Sequence, residues 1–151
     1  VWTVDPRNDD VATFVAFVRS TLGRQAEGIP LRLVSDLRFD PSMARATLPP
    51  DVKRNVLLVM REAVNNAFKH SAGDHIDVGL SITTKALMLT VNDNGNGFDP
   101  ERASQRGNGL HNFHKRAEEL GGTVRVESSP NGSTIVLQVP MSPTNMEARP
   151  V

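Results

Sequence analysis

Val56-Leu-Leu-Val-Met-Arg-Glu-Ala-Val-Asn-Asn-Ala67, followed soon after by Ile76-Asp-Val-Gly-Leu-Ser-Ile82 and Leu87-Met-Leu-Thr-Val91, changes its hydrophobic period partway along. Val56, Met60, Ala63, Val64 and Ala67 share one helical face, whereas from Ile76 onward apolar and polar residues alternate as they do in strands. The spacing predicts a helix that starts after Pro49-Pro50, with Asp51 as its N-cap, and runs to about Ser71 before Gly73. The two alternating runs predict a hairpin turning near Thr84-Lys85. A second hairpin is signalled where Val124 and Val126, then Ile135, Leu137 and Val139, flank Pro130-Asn131-Gly132.

Working outward, Phe14, Val15, Val18 and Leu22 lie at helical spacing after Asn8-Asp9-Asp10, and Gly28-Ile29-Pro30 closes that helix. Leu31 and Leu33, and the stretch from Arg45 to Leu48, predict two short strands around Asp40-Pro41-Ser42. Leu110, Phe113, Ala117 and Leu120 mark a further helix, stopped by Gly121-Gly122. About three helices and about six strands without regular βαβ alternation predict a two-layer α/β sandwich, a mixed and mostly antiparallel sheet covered by helices on one face.

Composition narrows the function. The chain has 151 residues, 17 Lys+Arg against 17 Asp+Glu, no Cys and 5% aromatics. That is the size of one domain. Zero net charge gives no general attraction to nucleic acid or an anionic membrane. The absence of Cys removes thiolate metal sites and thiol nucleophiles. The most apolar run, Val11 to Val18, falls far short of the roughly 18 residues of a membrane span. No signal-peptide pattern is present, and the segment from Ser142 to Val151, with two prolines and no periodicity, reads as a loose tail.

Three segments carry chemistry. About 160° around the long helix from its apolar stripe, at ~100° per residue, lie Glu62, Asn66, Lys69 and, slightly aside, His70. Glu and Asn oxygens beside an ammonium suit a hydrated Mg²⁺ attached to a polyphosphate; a solvated helix face is the plainer alternative. Asn65-Asn66 argues for use, because Asn is a poor interior helix former unless a partner or ligand engages it. The second segment, Asn92-Asp-Asn-Gly-Asn-Gly-Phe-Asp-Pro100, follows a strand. There Asp93 can accept a hydrogen bond from an exocyclic amine while Gly97 leaves room for a flat ring; the alternative is an Asn/Gly-rich turn. The third, Arg106-Gly-Asn-Gly-Leu110, opens a helix whose free amides can bind phosphate, or is simply a flexible lead-in.

In this order and spacing the three segments resemble the ATP-binding domain shared by histidine kinases, gyrase, the ninety-kilodalton heat-shock chaperone and mismatch-repair ATPases. Arg61-Glu-Ala-Val-Asn-Asn-Ala-Phe-Lys-His-Ser71 resembles its N box, Asp93-x-Gly-x-Gly97 its first glycine box, and Gly107-x-Gly-Leu110 its second. The run from Gly107 to Gly122 and the short lid resemble sensor kinases of the nitrate-sensor and desaturase-sensor type, and Trp2-Thr-Val-Asp-Pro-Arg-Asn8 resembles their linker to the dimerisation helices. The resemblance implies a Bergerat-type fold. It divides the chain into a linker and helix over residues 1–29, an ATP-binding catalytic domain over 30–140 and a tail over 141–151.

The resemblance also implies roles. Glu62 orients or polarises the attacking group, Asn66 is the Mg²⁺ ligand, and Lys69 with His70 reaches the phosphates. Asp93 binds the adenine amino group, Gly95 and Gly97 shape that wall, Gly107, Gly109 and Leu110 close the lid, and Thr134 helps hold adenine through water. ATP and Mg²⁺ are the implied cofactors. The implied partners are a histidine-bearing dimerisation domain of the same protein and a response regulator, with a homodimeric full-length protein and a monomeric fragment. The implied location is the cytoplasmic portion of a membrane-anchored sensor.

Sensor kinases phosphorylate a His followed by an acidic residue, but the four histidines here read His70-Ser, His75-Ile, His111-Asn and His114-Lys. The substrate histidine is therefore expected upstream on another domain. An anti-sigma-factor type serine kinase, or a nucleotide-binding module without catalysis, are the alternatives that share these boxes. His111 and His114 lack a nearby third ligand for zinc.

Overall fold

The computed structural model of the chain describes residues 10–29, 31–70, 73–95, 109–141 and 147–148. Asp10 caps the first helix, α1 (Val11–Ala26), by accepting the Thr13 N–H at 2.7 Å, which satisfies one of the donors that a helix start leaves open. Val11, Phe14, Val15, Val18 and Leu22 are its buried stripe. Gly28, at φ +72°, turns the chain out of the helix in a conformation that L side chains avoid.

Strand β1 (Arg32–Phe39) extends well beyond Leu33. Leu37 and Phe39 continue its inward period, and Asp36 and Arg38, ion-paired at 2.8 Å, face solvent between and beside them. A 3-10 turn at Pro41–Met43 follows, capped by Asp40, whose carboxylate is held below the usual range by hydrogen bonds from the Ser42 backbone and hydroxyl. Short β2 (Ala46–Thr47) leads into the long helix α2 (Pro50–His70). Here the expected cap shifts. The Lys53 N–H donates to the Pro49 carbonyl at 3.1 Å, so Pro50 takes the first helical position, where its missing N–H has no cost. Asp51 is a first-turn residue that complements the helix dipole, not the cap.

The remaining elements are β3 (His75–Ile82), β4 (Ala86–Asp93), α3 (Gly109–Glu119), β5 (Thr123–Ser129), β6 (Gly132–Pro140) and β7 (Glu147–Ala148). Strand β7 pairs with β2 in a separate two-stranded sheet, so two residues of the expected loose tail are in fact paired. The main sheet has the order β1-β3-β4-β6-β5. Its two hairpins and the β4–β6 contact are antiparallel, and β1 lies parallel to β3 because α2 supplies the crossover that parallel neighbours need.

Register decides what each face carries. Leu37, Leu80, Leu89, Leu137 and Val124 stand in one row across all five strands, beside a row of Phe39, Ile82, Leu87 and Val139. Against these rows pack α1 over β1, α2 over β4, and α3 over β5 and β6. The opposite face carries Ser81, Met88, Gln138 and the Arg125–Glu127 ion pair, and is open to solvent. The expected two-layer sandwich, helices on one side of a mixed sheet, is the observed architecture.

Neighbouring β4 residues test this one-sidedness. Leu89→Ala, which empties a fully packed inner position, should cost about 2–5 kcal/mol of unfolding free energy in urea. Met88→Ala, on the open face at 38% exposure, should change it by under about 1 kcal/mol.

Candidate functional site

Asp93 ends β4 on the inner face, in the row Leu33, Ile76, Asp93, Ser133, Ser128. It is 6% exposed. A carboxylate removed from water must have its oxygens hydrogen-bonded. Oδ1 accepts the Gly95 N–H at 2.9 Å, and Oδ2 accepts a short hydrogen bond from the Ser133 hydroxyl. Each oxygen keeps capacity for another donor.

Two glycines make the surroundings. Gly132 has φ +140°, and a Cβ there would collide with the Asp93 carbonyl. At Gly73 a Cβ would strike the Asn94 side chain and lie 2.6 Å from the Gly95 nitrogen. Bare backbone therefore approaches the Asp93–Gly95 turn at Gly132 on the β6 side and at Gly73. The Asn94 side chain closes that second approach: its Oδ1 accepts the Asp74 and His75 N–H groups at 3.1 and 3.0 Å.

Thr134, which the resemblance implies helps hold adenine through water, does not meet this carboxylate. It pairs with Asn92 on the open face of the sheet and donates to Asn92 Oδ1 at 2.7 Å. The reason is strand period: Val91 to Asp93 and Ile135 to Ser133 keep the inner parity, and Thr134 is one residue out of step. Counting back by twos from Val139 finds Ser133 in the sequence alone.

On α2, Glu62 and Asn66 are both half-buried and one turn apart, in line with half-buried Leu58. Lys69 is exposed, and His70 is the last residue of the helix. The Asn pair divides its labour. Asn65, on the exposed side, accepts from Gln25 Nε2 of α1 at 3.1 Å, and the same nitrogen donates to the Arg61 carbonyl at 3.0 Å. Asn65 thus has a packing role, which leaves Asn66 as the amide on the Glu62 side. Because Asp74 and His75 hydrogen-bond to Asn94, the C-terminal ends of α2 and β4 share one end of the domain.

Helix α3 is fastened at its other end. Arg116 Nη1 donates to the buried Asn55 of α2 at 3.3 Å, and Gly122 lies where a Cβ would collide with the Gln138 carbonyl, at the end of β6 remote from Ser133. Gly109 and Leu110 are the first residues of the helix, ~10 Å along its axis from Arg116. Gly97 and Gly107 lie outside the described residues, as does the Trp2–Asn8 linker segment.

What these residues offer is acceptor oxygens, which an exocyclic amine or a hydrated cation can engage. Asp93 offers acceptor capacity beside glycine backbone, and α2 offers the side-chain oxygens of Glu62 and Asn66. Among the described residues no group of three or more His, Asp or Glu forms a metal cage. A magnesium ion held at Asn66 would take its other ligands from phosphate and water, which is its usual preference.

Comparisons with known proteins give the family and the fold. Residues 51–143, more than half of the chain, match the family described as histidine kinase-, DNA gyrase B-, and HSP90-like ATPase. The sensor protein VraS of Staphylococcus saprophyticus is 26% identical over 121 residues, covering 80% of this chain and 33% of its own length. The signal transduction histidine-protein kinase/phosphatase DegS of Bacillus subtilis is 35% identical over 99 residues, covering 63% of this chain and 26% of its own length. The chain therefore spans only a quarter to a third of these relatives. In fold it is similar to the histidine kinase domain of the Erythrobacter litoralis blue-light activated histidine kinase, with TM-score 0.67, 18% identity and coverage of 89% of this chain and 62% of that one. It is also similar to the Acinetobacter baumannii histidine kinase AdeS, with TM-score 0.63 at 18% identity, covering 89% of this chain and 66% of that one.

The two adjacent hydroxyls should separate in a denaturant titration. Ser133→Ala leaves a buried carboxylate oxygen without its donor and should cost about 1–3 kcal/mol. Thr134→Ala, which removes an exposed hydrogen bond, should stay within about 0.5 kcal/mol of the parent.

Proposed function

The chain belongs to the histidine kinase-, DNA gyrase B-, and HSP90-like ATPase family, and on that membership we propose that it is the ATP-binding catalytic portion of a sensor histidine kinase. It transfers the γ-phosphoryl group of Mg-ATP to a histidine on a dimerisation domain, for relay to a response regulator. The observation that carries this reading is the buried Asp93 carboxylate, held by Ser133 and Gly95 at a glycine-walled strand end. The sensor-kinase names of its relatives favour a histidine acceptor over the serine of an anti-sigma-factor kinase.

Asp93 accepts the exocyclic amino group of adenine, with Ser133 rather than Thr134 as the supporting hydroxyl. Asn66 is the magnesium ligand, and Lys69 and His70 reach the phosphates. Glu62 orients the acceptor imidazole, whose nitrogen bonds to the γ-phosphorus as the bond to the bridging oxygen of the ADP leaving group breaks. Gly107, Gly109 and Leu110 belong to the lid, and Gly95 and Gly97 to the adenine wall. Phosphoryl transfer asks mainly for positioning and charge stabilisation, which such side chains can supply. No helix among the described residues is long and apolar enough to cross a membrane. We place this portion on the cytoplasmic side of a membrane-anchored, homodimeric sensor, with the fragment itself monomeric.

Calorimetry tests the adenine assignment. Asp93→Asn should weaken ATP binding by about 1.5–3 kcal/mol, and the parent should bind GTP far less well than ATP, because the guanine six-position oxygen is an acceptor facing a carboxylate. Equal affinity for the two nucleotides would contradict it.

The catalytic assignments are read with the acceptor domain supplied in trans, since the chain alone should bind Mg-ATP without stable phosphorylation of its own histidines. Glu62→Gln should leave nucleotide affinity nearly unchanged and slow phosphoryl transfer by roughly a hundredfold. Asn66→Ala should abolish the magnesium dependence of ATP affinity. Transfer at the parent rate by the Glu62 variant would return that residue to the solvated face of α2.

A further inference from the structure

The β3–β4 ladder ends at the Ile76–Asp93 pair, yet contact between the two segments continues beyond it through the Asn94 side chain. Asn94 Oδ1 accepts the Asp74 N–H at 3.1 Å and the His75 N–H at 3.0 Å, and Nδ2 donates to Asp74 Oδ1 at 2.9 Å. Its own backbone N–H donates to the His75 carbonyl at 3.2 Å. Immediately before Asp74 stands Gly73, where any Cβ would collide with Asn94 Oδ1 and crowd the Gly95 nitrogen. Gly73 is thus brought to the turn as bare backbone, and the Asp74–His75 backbone beside it is locked there by one amide.

The location gives this lock a consequence. Gly95 N–H is the donor to Asp93 Oδ1, so the aim of the carboxylate follows the position of Gly95, and Gly95 adjoins Asn94. At the other end of the contact, Asp74 follows the helix that carries Glu62, Asn66, Lys69 and His70. We propose that Asn94, acting with Asp74, is a positioning residue of the nucleotide site. It sets the Gly95 N–H against Asp93 and fixes the adenine wall relative to the phosphate-facing end of α2. Neither side chain has to touch the nucleotide. The inference rests on the function proposed above.

The chemistry selects Asn at this position. Two backbone N–H groups require an acceptor and the Asp74 carboxylate requires a donor, and a primary amide supplies both. A carboxylate at position 94 keeps the acceptor but meets Asp74 with like charge, and an alanine keeps neither function.

The test compares Asn94→Ala, Asn94→Asp and the double variant Asn94→Asp with Asp74→Asn, measuring ATP affinity by calorimetry and the melting temperature without nucleotide. Both single variants should bind ATP about tenfold more weakly or worse. Their melting temperatures should stay close to the parent's, because Asn94 and Asp74 are exposed. The double variant exchanges donor and acceptor across the same contact and should recover most of the affinity, a rescue that loss of general stability does not produce. Should Asn94→Ala fail to fold, the comparison of Asn94→Asp with the double variant carries the test. Single variants that bind ATP like the parent, or a double variant no better than Asn94→Asp, overturn the proposal. A parent chain that binds no ATP overturns the proposed function and this inference with it, whereas a binding parent with indifferent variants overturns this inference alone.

Discussion

A carboxylate on the helix-facing side of a β-sheet has to be supplied with hydrogen-bond donors from the fold itself, and Asp93 imposes that demand on everything around it. It sits at the end of a central strand, where the row of apolar side chains gives way to Ser133 and Ser128. Ser133 can serve it only if β6 keeps its present register, and β6 can come so close only because Gly132 has no Cβ to strike the Asp93 carbonyl. Gly95 serves the other oxygen from the turn beyond the strand. Because each donor comes from a different constraint, hairpin register on one side and turn geometry on the other, the carboxylate is held from both and its remaining acceptor capacity has a fixed direction. Such preorganisation is what a ligand-binding group requires.

The helices are bound to this sheet mainly by apolar burial, but polar side chains set how they meet one another. Gln25 reaches from α1 to the Arg61 carbonyl and to Asn65 on α2, at the turn that also carries Glu62. Asn55, buried in α2, donates to the Asp51 carbonyl at 3.0 Å and accepts from Arg116 of α3. These amide contacts add direction to a hydrophobic interface that has little of its own. They also resolve the adjacent pair Asn65-Asn66, unfavourable as helix formers: one is engaged by a neighbouring helix, and the other stands on the row with Glu62.

Much of this was legible in the order of residues. Period changes located the three helices among the described residues and both hairpins, and the Asp93 and Asn66 segments were identifiable because Asn and Gly rarely occupy such positions without a reason. Other features turn on a closer count of residues. Asp51 looks like a cap, yet Pro50 begins the helix, and the resemblance points to Thr134 for a water-mediated contact to adenine, whereas the hydroxyl that meets Asp93 is that of Ser133. The cap lies two residues earlier than Asp51, at Pro49, and the hydroxyl one residue earlier than Thr134, a step that in a strand turns a side chain to the opposite face.

Hydrophobic period and turn chemistry are local properties, so the chain order alone could establish the layers, the helix faces and the residues that carry chemistry. Pairing partners are not local. That β1 runs parallel to β3, that β6 rather than β3 supplies the hydroxyl for Asp93, that Glu147 and Ala148 pair with β2, and that Asn94 ties its turn to Asp74 all join segments separated by many residues. Only the folded chain decides among such partners, because the cost of closing each loop is offset when segments far apart in sequence are packed together.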